Sequence, residues 1–151
     1  MNIQQDIEFL KMLTFNSIDE MNNNSIIQKY FDVNDNETGA IEHIFKGYYD
    51  GMKYFNGYHS EAIYPNLYMS DTIVKNKNVV YELHFPELKR SNTFFPITMS
   101  CEDIIICILE EYAKQNLDII VQNSLCSKYN LQLTVALNKD KKIFTAYPII
   151  K

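Results

Sequence analysis

The residue types that could carry chemistry are few and scattered along the 151-residue sequence. The three histidines, His43, His59 and His84, fall on different predicted elements and lack a metal-binding spacing such as His-x-x-x-His. His59-Ser60-Glu61 places an imidazole beside a carboxylate, which can be tuned for acid–base work near neutral pH. The cluster follows an Asn56-Gly57 turn, so the simpler interpretation is a polar loop.

A second arrangement lies on a predicted strand. Glu82 and His84 are two residues apart, so their side chains point to the same face of that strand. They could line the pocket of a small-ligand-binding or enzymatic domain. The alternative is that they lie on the solvated face of a half-buried sheet.

The three cysteines give no further catalytic signal. Cys101 begins a predicted helix, where the amide dipoles lower a thiol pKa, but no neighbouring base is visible. Cys107 and Cys126 are interpreted as small core residues. An odd number of cysteines and an N-terminus without a signal-peptide pattern predict free thiols in the cytoplasm.

Motifs of common enzyme classes are missing from the sequence. It contains no phosphate-binding loop, no dinucleotide-binding glycine pattern and no Gly-x-Ser-x-Gly elbow, and it has only four glycines. We therefore expect a binding protein that is not an enzyme and that uses no cofactor or metal.

The charge distribution indicates the kind of partner. Residues 1–74 carry 11 acidic and 4 basic side chains, whereas residues 75–151 carry 8 and 10. An acidic half and a single arginine, Arg90, argue against nucleic acid as the partner, because phosphate binding requires clustered cations. The same half would attract a basic protein, although it could also serve only to keep the protein soluble.

The spacing of apolar residues predicts the helices and strands that position these side chains. Helices are predicted over residues 3–14, from Ser25 to about Tyr30, from Thr38 to about Phe55, from Cys101 to about Gln115 with Ser100 as N-cap, and over about 118–128. Strands are predicted over 78–85 and 94–99, joined by a loop over 87–93, with weaker extended segments at 63–68 and 71–75. A C-terminal hairpin turns at 138–141.

This order lacks a regular βαβ rhythm, linkers or repeats. It predicts a single α+β domain over residues 1–151, with a mixed or mainly antiparallel sheet and helices packed on one side. The longest apolar run, Ile104–Leu109, is too short to span a membrane, so no membrane association is expected.

A stretch rich in tyrosine and acids is the most distinctive surface candidate. Residues 48–71 interleave aromatic side chains with Asp50, Glu61 and Asp71. Tyrosines of this kind suit a protein-binding surface, although core packing accounts for many of them.

The middle of the sequence resembles the immunity proteins of bacterial contact-dependent growth inhibition systems, particularly those paired with ribonuclease toxins. The resemblance covers roughly residues 38–115 and rests on residues 45–51, on Tyr64-Pro65-Asn66-Leu67, on strand 79–85 and on the helix that follows Ser100. It implies a cytoplasmic, non-enzymatic protein that binds a basic cognate toxin domain, expected to be a nuclease, and neutralises it by occluding its active site or substrate surface. The expected contacts combine this resemblance with the tyrosine-rich stretch: Asp50, Tyr54, Tyr58, Glu61, Tyr64 and Asp71.

Overall fold

The computed structural model describes residues 2–33, 39–51 and 55–150. Helices and antiparallel strands are interspersed along these ranges, which confirms the α+β class. The described strands form three separate two-stranded sheets rather than one continuous sheet.

Three short helices begin the fold: α1 at Ile3–Leu10, α2 at Ile18–Asn22 and α3 at Ser25–Tyr30. Helix α1 begins with a capping box between Asn2 and Gln5 and ends four residues earlier than predicted, because its apolar spacing stops after Leu10. Helix α3 has the predicted bounds, but its N-cap is Asn24 rather than Ser25.

The long helix predicted from Thr38 to about Phe55 is wrong. Helix α4 spans only Ala40–Phe45, and Gly47 follows it with a left-handed φ of +73°. The chain then forms a small hairpin in which β1, Tyr48–Tyr49, pairs with β2, Phe55–Asn56. Aromatic pairs favour strands, and the glycine allows the change of direction. Thr38 lies outside the described residues.

The central hairpin is shorter than predicted and its return strand is displaced. Strand β3 spans Tyr81–Phe85 and β4 spans Arg90–Phe94, joined by a 3₁₀ turn at Pro86–Leu88. The prediction of a return strand over residues 94–99 is wrong because Pro86 starts a tight turn, so pairing resumes at Arg90, and Pro96 lacks the N–H that a ladder needs. The segments 63–68 and 71–75 contain no strand.

The C-terminal part follows the predictions most closely. Helix α5 spans Cys101–Asn116 with Ser100 as N-cap, as predicted. Of the helix predicted over residues 118–128, only α6 at Leu125–Lys128 forms, since Asp118 and Asn123 adopt left-handed φ angles. Strands β5, Leu133–Leu137, and β6, Ile143–Pro148, form the predicted hairpin.

Two apolar cores hold these elements. The larger one packs α1–α5 against the β5–β6 hairpin and contains Cys107 and Cys126, as predicted. The smaller one is mostly aromatic and lies under the β3–β4 hairpin, formed by Phe55, Tyr58, Tyr81, Leu83, Phe85 and Phe94. Within the described ranges, no helix is both long and apolar enough to cross a membrane.

Candidate active site

Backbone hydrogen bonds bring the end of α4 and the segment after β2 together. The His43 carbonyl accepts from the Tyr58 N–H at 2.6 Å, and the Ile44 carbonyl accepts from the His59 N–H at 2.7 Å. Gly57 permits this approach, because its φ is +84° and a Cβ there would lie 2.3 Å from the His43 carbonyl oxygen. The His43 and His59 rings consequently lie 5.9 Å apart, centroid to centroid.

The His59 ring is held in a defined orientation by β4 and β6. Its Nδ1 lies 2.9 Å from the Thr93 carbonyl oxygen, and the ring stacks on Tyr147 at a centroid distance of 5.2 Å. A carbonyl can only accept, so Nδ1 carries the hydrogen and the neutral ring has its lone pair on Nε2. This tautomer leaves Nε2 able to take a proton.

Both histidines are neutral in the free protein near pH 7. Burial lowers the pKa of His59 to about 4, and electrostatic repulsion from Arg90, and from His43 when that ring is protonated, adds to the effect. Burial also lowers the pKa of His43 to about 4, again with a contribution from Arg90. The pair can therefore exchange protons only when something raises one of these pKa values, such as a bound anion.

Arg90 supplies a fixed cation beside the pair. Its Nε–H donates to Asn92 Oδ1 at 3.1 Å, and its Nη1 donates to the Phe55 carbonyl oxygen at 3.1 Å. A guanidinium has five N–H donors, and the other three have no protein acceptor among the described residues. They are available to an anionic ligand.

These groups open onto a cleft of about 390 Å³. His43, His59 and Arg90 line it together with Glu82 from β3 and Tyr147 from β6. Two imidazoles and a cation at one cleft can remove a proton, donate a proton and stabilise negative charge. These three actions are the ones that cleavage of a phosphodiester bond requires.

The six predicted contact residues are not one surface. Asp50, Tyr64 and Asp71 are exposed, whereas Tyr54 lies outside the described residues. Tyr58 is fully buried and donates to the Tyr64 carbonyl oxygen, so its side chain packs inside the protein.

Glu61 is also an internal residue. Its carboxylate accepts from Lys77 Nζ at 3.0 Å, from the Tyr81 hydroxyl at 2.8 Å and from the Asn66 N–H at 2.7 Å. Burial opposes its ionisation, but these hydrogen bonds together outweigh burial and lower the pKa of Glu61. The Glu61 carboxylate is therefore occupied by structural hydrogen bonds and does not form an acid–base pair with His59.

The alternative pocket of Glu82 and His84 is also corrected. Glu82 lines the cleft, but His84 is bound to Asp71, with its Nδ1 at 3.0 Å from Oδ1 of that carboxylate, at an exposed position. Glu82 instead lines the same cleft as His43 and His59.

A third group of reactive side chains lies elsewhere. Among the described residues, Cys107, Glu110 and Cys126 are the one group of three potential metal ligands whose atoms all lie within 4.8 Å of one another. Glu110 accepts from the backbone N–H groups of Leu125 and Cys126 and from Ser124, and the Cys126 thiol donates to the Cys107 carbonyl. The group thus serves as a cap for α6, and its polar atoms are satisfied within the protein.

The sequence interpretation named His43 and His59 but did not bring them together, and it missed Arg90, Thr93 and Tyr147 as site residues. The Asn56-Gly57 turn before His59 was the available signal, because a glycine there permits close backbone approach. No spacing rule indicates that Tyr147 reaches the same cleft.

Comparison with known families gives one match. The description of the matching family is bacterial EndoU nuclease, and the match covers residues 37–150, about three-quarters of the chain. Searches of curated proteins and of solved structures returned no significant match.

This match overturns the expected identity. The sequence predicted an immunity protein that is not an enzyme, whereas the matched family is one of nucleases. The resemblance to immunity proteins was wrong, and so was the toxin-neutralising function that it implied. The matched range contains all the residues that line the cleft.

Proposed function

The chain belongs to the bacterial EndoU nuclease family, and from that premise we propose that it is an endoribonuclease in which His59 and His43 form the acid–base pair. The observation that carries the proposal is the 5.9 Å approach of the two imidazoles at a cleft that also contains Arg90. RNA takes the place of the basic protein partner that the sequence predicted. We propose the cytoplasm as its compartment, because RNA is abundant there.

RNA fits this chemistry because it carries its own nucleophile. The 2′-hydroxyl lies next to the phosphorus, so removal of its proton is enough to start an intramolecular attack. DNA lacks this hydroxyl. An imidazole base and an imidazole acid then suffice for the two proton transfers.

His59 is assigned as the base because its Nδ1–H is fixed on the Thr93 carbonyl and its Nε2 carries the lone pair. Nε2 takes the 2′-hydroxyl proton as the O2′–P bond forms. The same carbonyl stabilises the imidazolium that results, because it accepts a hydrogen bond from the charged ring.

His43, which is less buried, is assigned as the acid. It donates its proton to the 5′ oxygen as the P–O5′ bond breaks, which leaves a 2′,3′-cyclic phosphate and a 5′-hydroxyl. Bound phosphate raises the imidazole pKa from its value of about 4 in the free protein, so the acid form develops when substrate binds. Arg90 stabilises the charge that builds on the phosphate oxygens.

The net charge of −5 is compatible with this function because it describes the whole molecule and not the cleft. Few cations contact the substrate, so we expect affinity for RNA to be modest and only weakly dependent on salt. Substrate selection then depends on cleavage chemistry more than on general attraction to nucleic acid.

The test uses the purified protein and an oligodeoxynucleotide that contains one ribonucleotide. We expect cleavage only on the 3′ side of the ribonucleotide, with a 2′,3′-cyclic phosphate on one product and a 5′-hydroxyl on the other, identified by mass spectrometry. The matched control replaces that ribonucleotide with its 2′-deoxy form and should stay intact. Cleavage of the control, 5′-phosphate ends, or no cleavage between pH 5 and 8 would contradict the proposal.

A further inference from the structure

Asn92 is a buried polar residue that contacts two parts of the candidate active site. Its side chain is 4% exposed and lies on β4, two residues from Arg90. Buried amides are usually satisfied by the fold alone, so the significance of Asn92 depends on the groups it binds.

The amide oxygen of Asn92 anchors Arg90. Oδ1 accepts the Nε–H of the guanidinium at 3.1 Å, and the Phe55 carbonyl oxygen holds Nη1 at the same distance. Two bonds from different strands fix the plane of the guanidinium, which is otherwise on an exposed side chain.

The amide nitrogen of Asn92 anchors the segment that carries His59. Nδ2 donates to the Gly57 carbonyl oxygen at 2.6 Å and to the Tyr58 carbonyl oxygen at 3.2 Å. These residues directly precede His59 and make the close approach to His43. The Asn92 side chain thereby connects the Arg90 guanidinium to the backbone segment that determines the position of His59 relative to His43.

We propose that Asn92 is a positioning residue that holds the Arg90 guanidinium against the His43–His59 pair, so that anchoring of this cation, and not its charge alone, sets the rate of RNA cleavage. The inference rests on the proposed function, in which Arg90 stabilises the charge on the phosphate oxygens. Misplacement by about 1 Å of a group that contacts the reacting atoms costs on the order of a hundredfold in rate.

Two variants test the proposal from opposite sides. Asn92→Leu removes both anchors with little change in volume, and we expect kcat to fall tenfold to a hundredfold. Arg90→Lys keeps the charge but loses the planar fork that Asn92 and Phe55 hold, and we expect a similar loss of kcat with a smaller change in KM. Because Arg90 is exposed, its variant keeps the test decisive even if Asn92→Leu fails to fold.

A double-mutant cycle separates positioning from a general structural role. If Asn92 acts through Arg90, Asn92→Leu should cost much less kcat in an Arg90→Ala protein than in the wild type. Full additivity of the two losses, or wild-type kcat in Arg90→Lys, would overturn the proposal.

An RNA-free measurement distinguishes its failure from that of the proposed function. Displacement of the Arg90 charge should raise the imidazole pKa values of His43 and His59, measured by NMR titration of the folded Asn92→Leu and Arg90→Lys proteins. Unchanged titration in both would count against Asn92 as a positioning residue even if the wild type cleaves RNA. A wild type that does not cleave RNA, with titration that shifts as expected, would instead remove the nuclease assignment.

Discussion

Two groups of reactive side chains in this protein differ in how their hydrogen-bonding capacity is used. In the cysteine cluster, Cys107, Glu110 and Cys126, the hydrogen bonds are made within the fold, and the carboxylate of Glu110 caps α6. In the histidine cleft, His43, His59 and Arg90, the described structure uses only part of each group's capacity, and the remainder faces a cavity. The residue types in both groups are ones that can act in catalysis or bind a metal, so residue type alone does not distinguish the two groups. Unspent hydrogen-bonding capacity beside a cavity is what separates a candidate active site from a structural cap.

The largest expected effect tests the histidine cleft directly. His59→Ala or His43→Ala should lower kcat about a thousandfold, because each removes one proton-transfer group. His84→Ala is the matched control and should retain wild-type kcat, because His84 pairs with exposed Asp71. Steady-state cleavage of the single-ribonucleotide substrate measures all three. Equal losses in the His84 variant would erase the distinction between the cleft and an ordinary surface histidine.

The next effect concerns the glycine that brings the histidines together. Gly57→Ala should lower kcat about a hundredfold or more, because the new Cβ would lie 2.3 Å from the His43 carbonyl oxygen and must push the two segments apart. Gly51→Ala has similar backbone strain, with φ +83°, but no atom of the described residues lies within 4 Å of the added Cβ. Parallel kinetics and thermal unfolding compare the pair. Similar kcat in both variants would mean that the close approach is not needed for activity.

Stability against pH provides a third test. The pKa of His59 is about 4 when folded and close to 6.5 when unfolded, so the unfolded chain binds more protons between these values. The contribution of His59 to the free energy of unfolding should therefore rise from pH 4 to pH 6.5, by about 3 kcal/mol for a shift of this size. The lowered pKa of His43 adds a contribution of the same sign. Urea unfolding at a series of pH values should show that the free energy of unfolding rises less steeply with pH in His59→Gln than in the wild type. An equally steep rise in both proteins would contradict the lowered pKa of His59. The carboxyl groups of Asp6 and Glu61 act mainly at the acidic end of this window and below it, since their lowered pKa values start from 3.8 and 4.5.

The smallest expected effect belongs to the cysteine cluster. Glu110→Ala leaves the Leu125 and Cys126 N–H groups without their acceptor, which should cost about 1–3 kcal/mol of stability. Below the melting temperature kcat should be unchanged, because the cluster is not part of the cleft. Glu110→Gln retains one acceptor oxygen and should lose less stability. A large loss of kcat in a folded Glu110→Ala protein would show that the two groups are not independent.

Sequence reasoning succeeded where local signals decide structure. The Ser100 cap followed by apolar helical spacing predicted α5, and the alternation on both sides of residues 138–141 predicted the β5–β6 hairpin. It failed between residues 38 and 55, because apolar spacing there also fits a helix and only Gly47 indicates the break. Periodicity alone does not distinguish a helix from a helix followed by a hairpin.

The site was harder to predict than the fold because its members are not neighbours in sequence. His43 and His59 meet through a backbone approach, and Thr93 and Tyr147 reach His59 from two different hairpins. Net charge was a poor guide, because it counts the whole surface while the chemistry depends on one guanidinium. A single arginine, dismissed for its isolation, is the cation that the cleft contains.

The contribution of β6 to the cleft has a consequence during protein synthesis. Tyr147 stacks on one face of the His59 ring. The Thr93 hydroxyl on β4 donates a hydrogen bond to the Pro148 carbonyl oxygen on β6, which connects the two strands. A growing chain that has emerged only as far as β4 has His43, His59 and Arg90, but not Tyr147, which stacks on the His59 ring. The ribosome is itself built of RNA, and a growing chain lacks the Tyr147 contact on His59 until β6 has emerged from it.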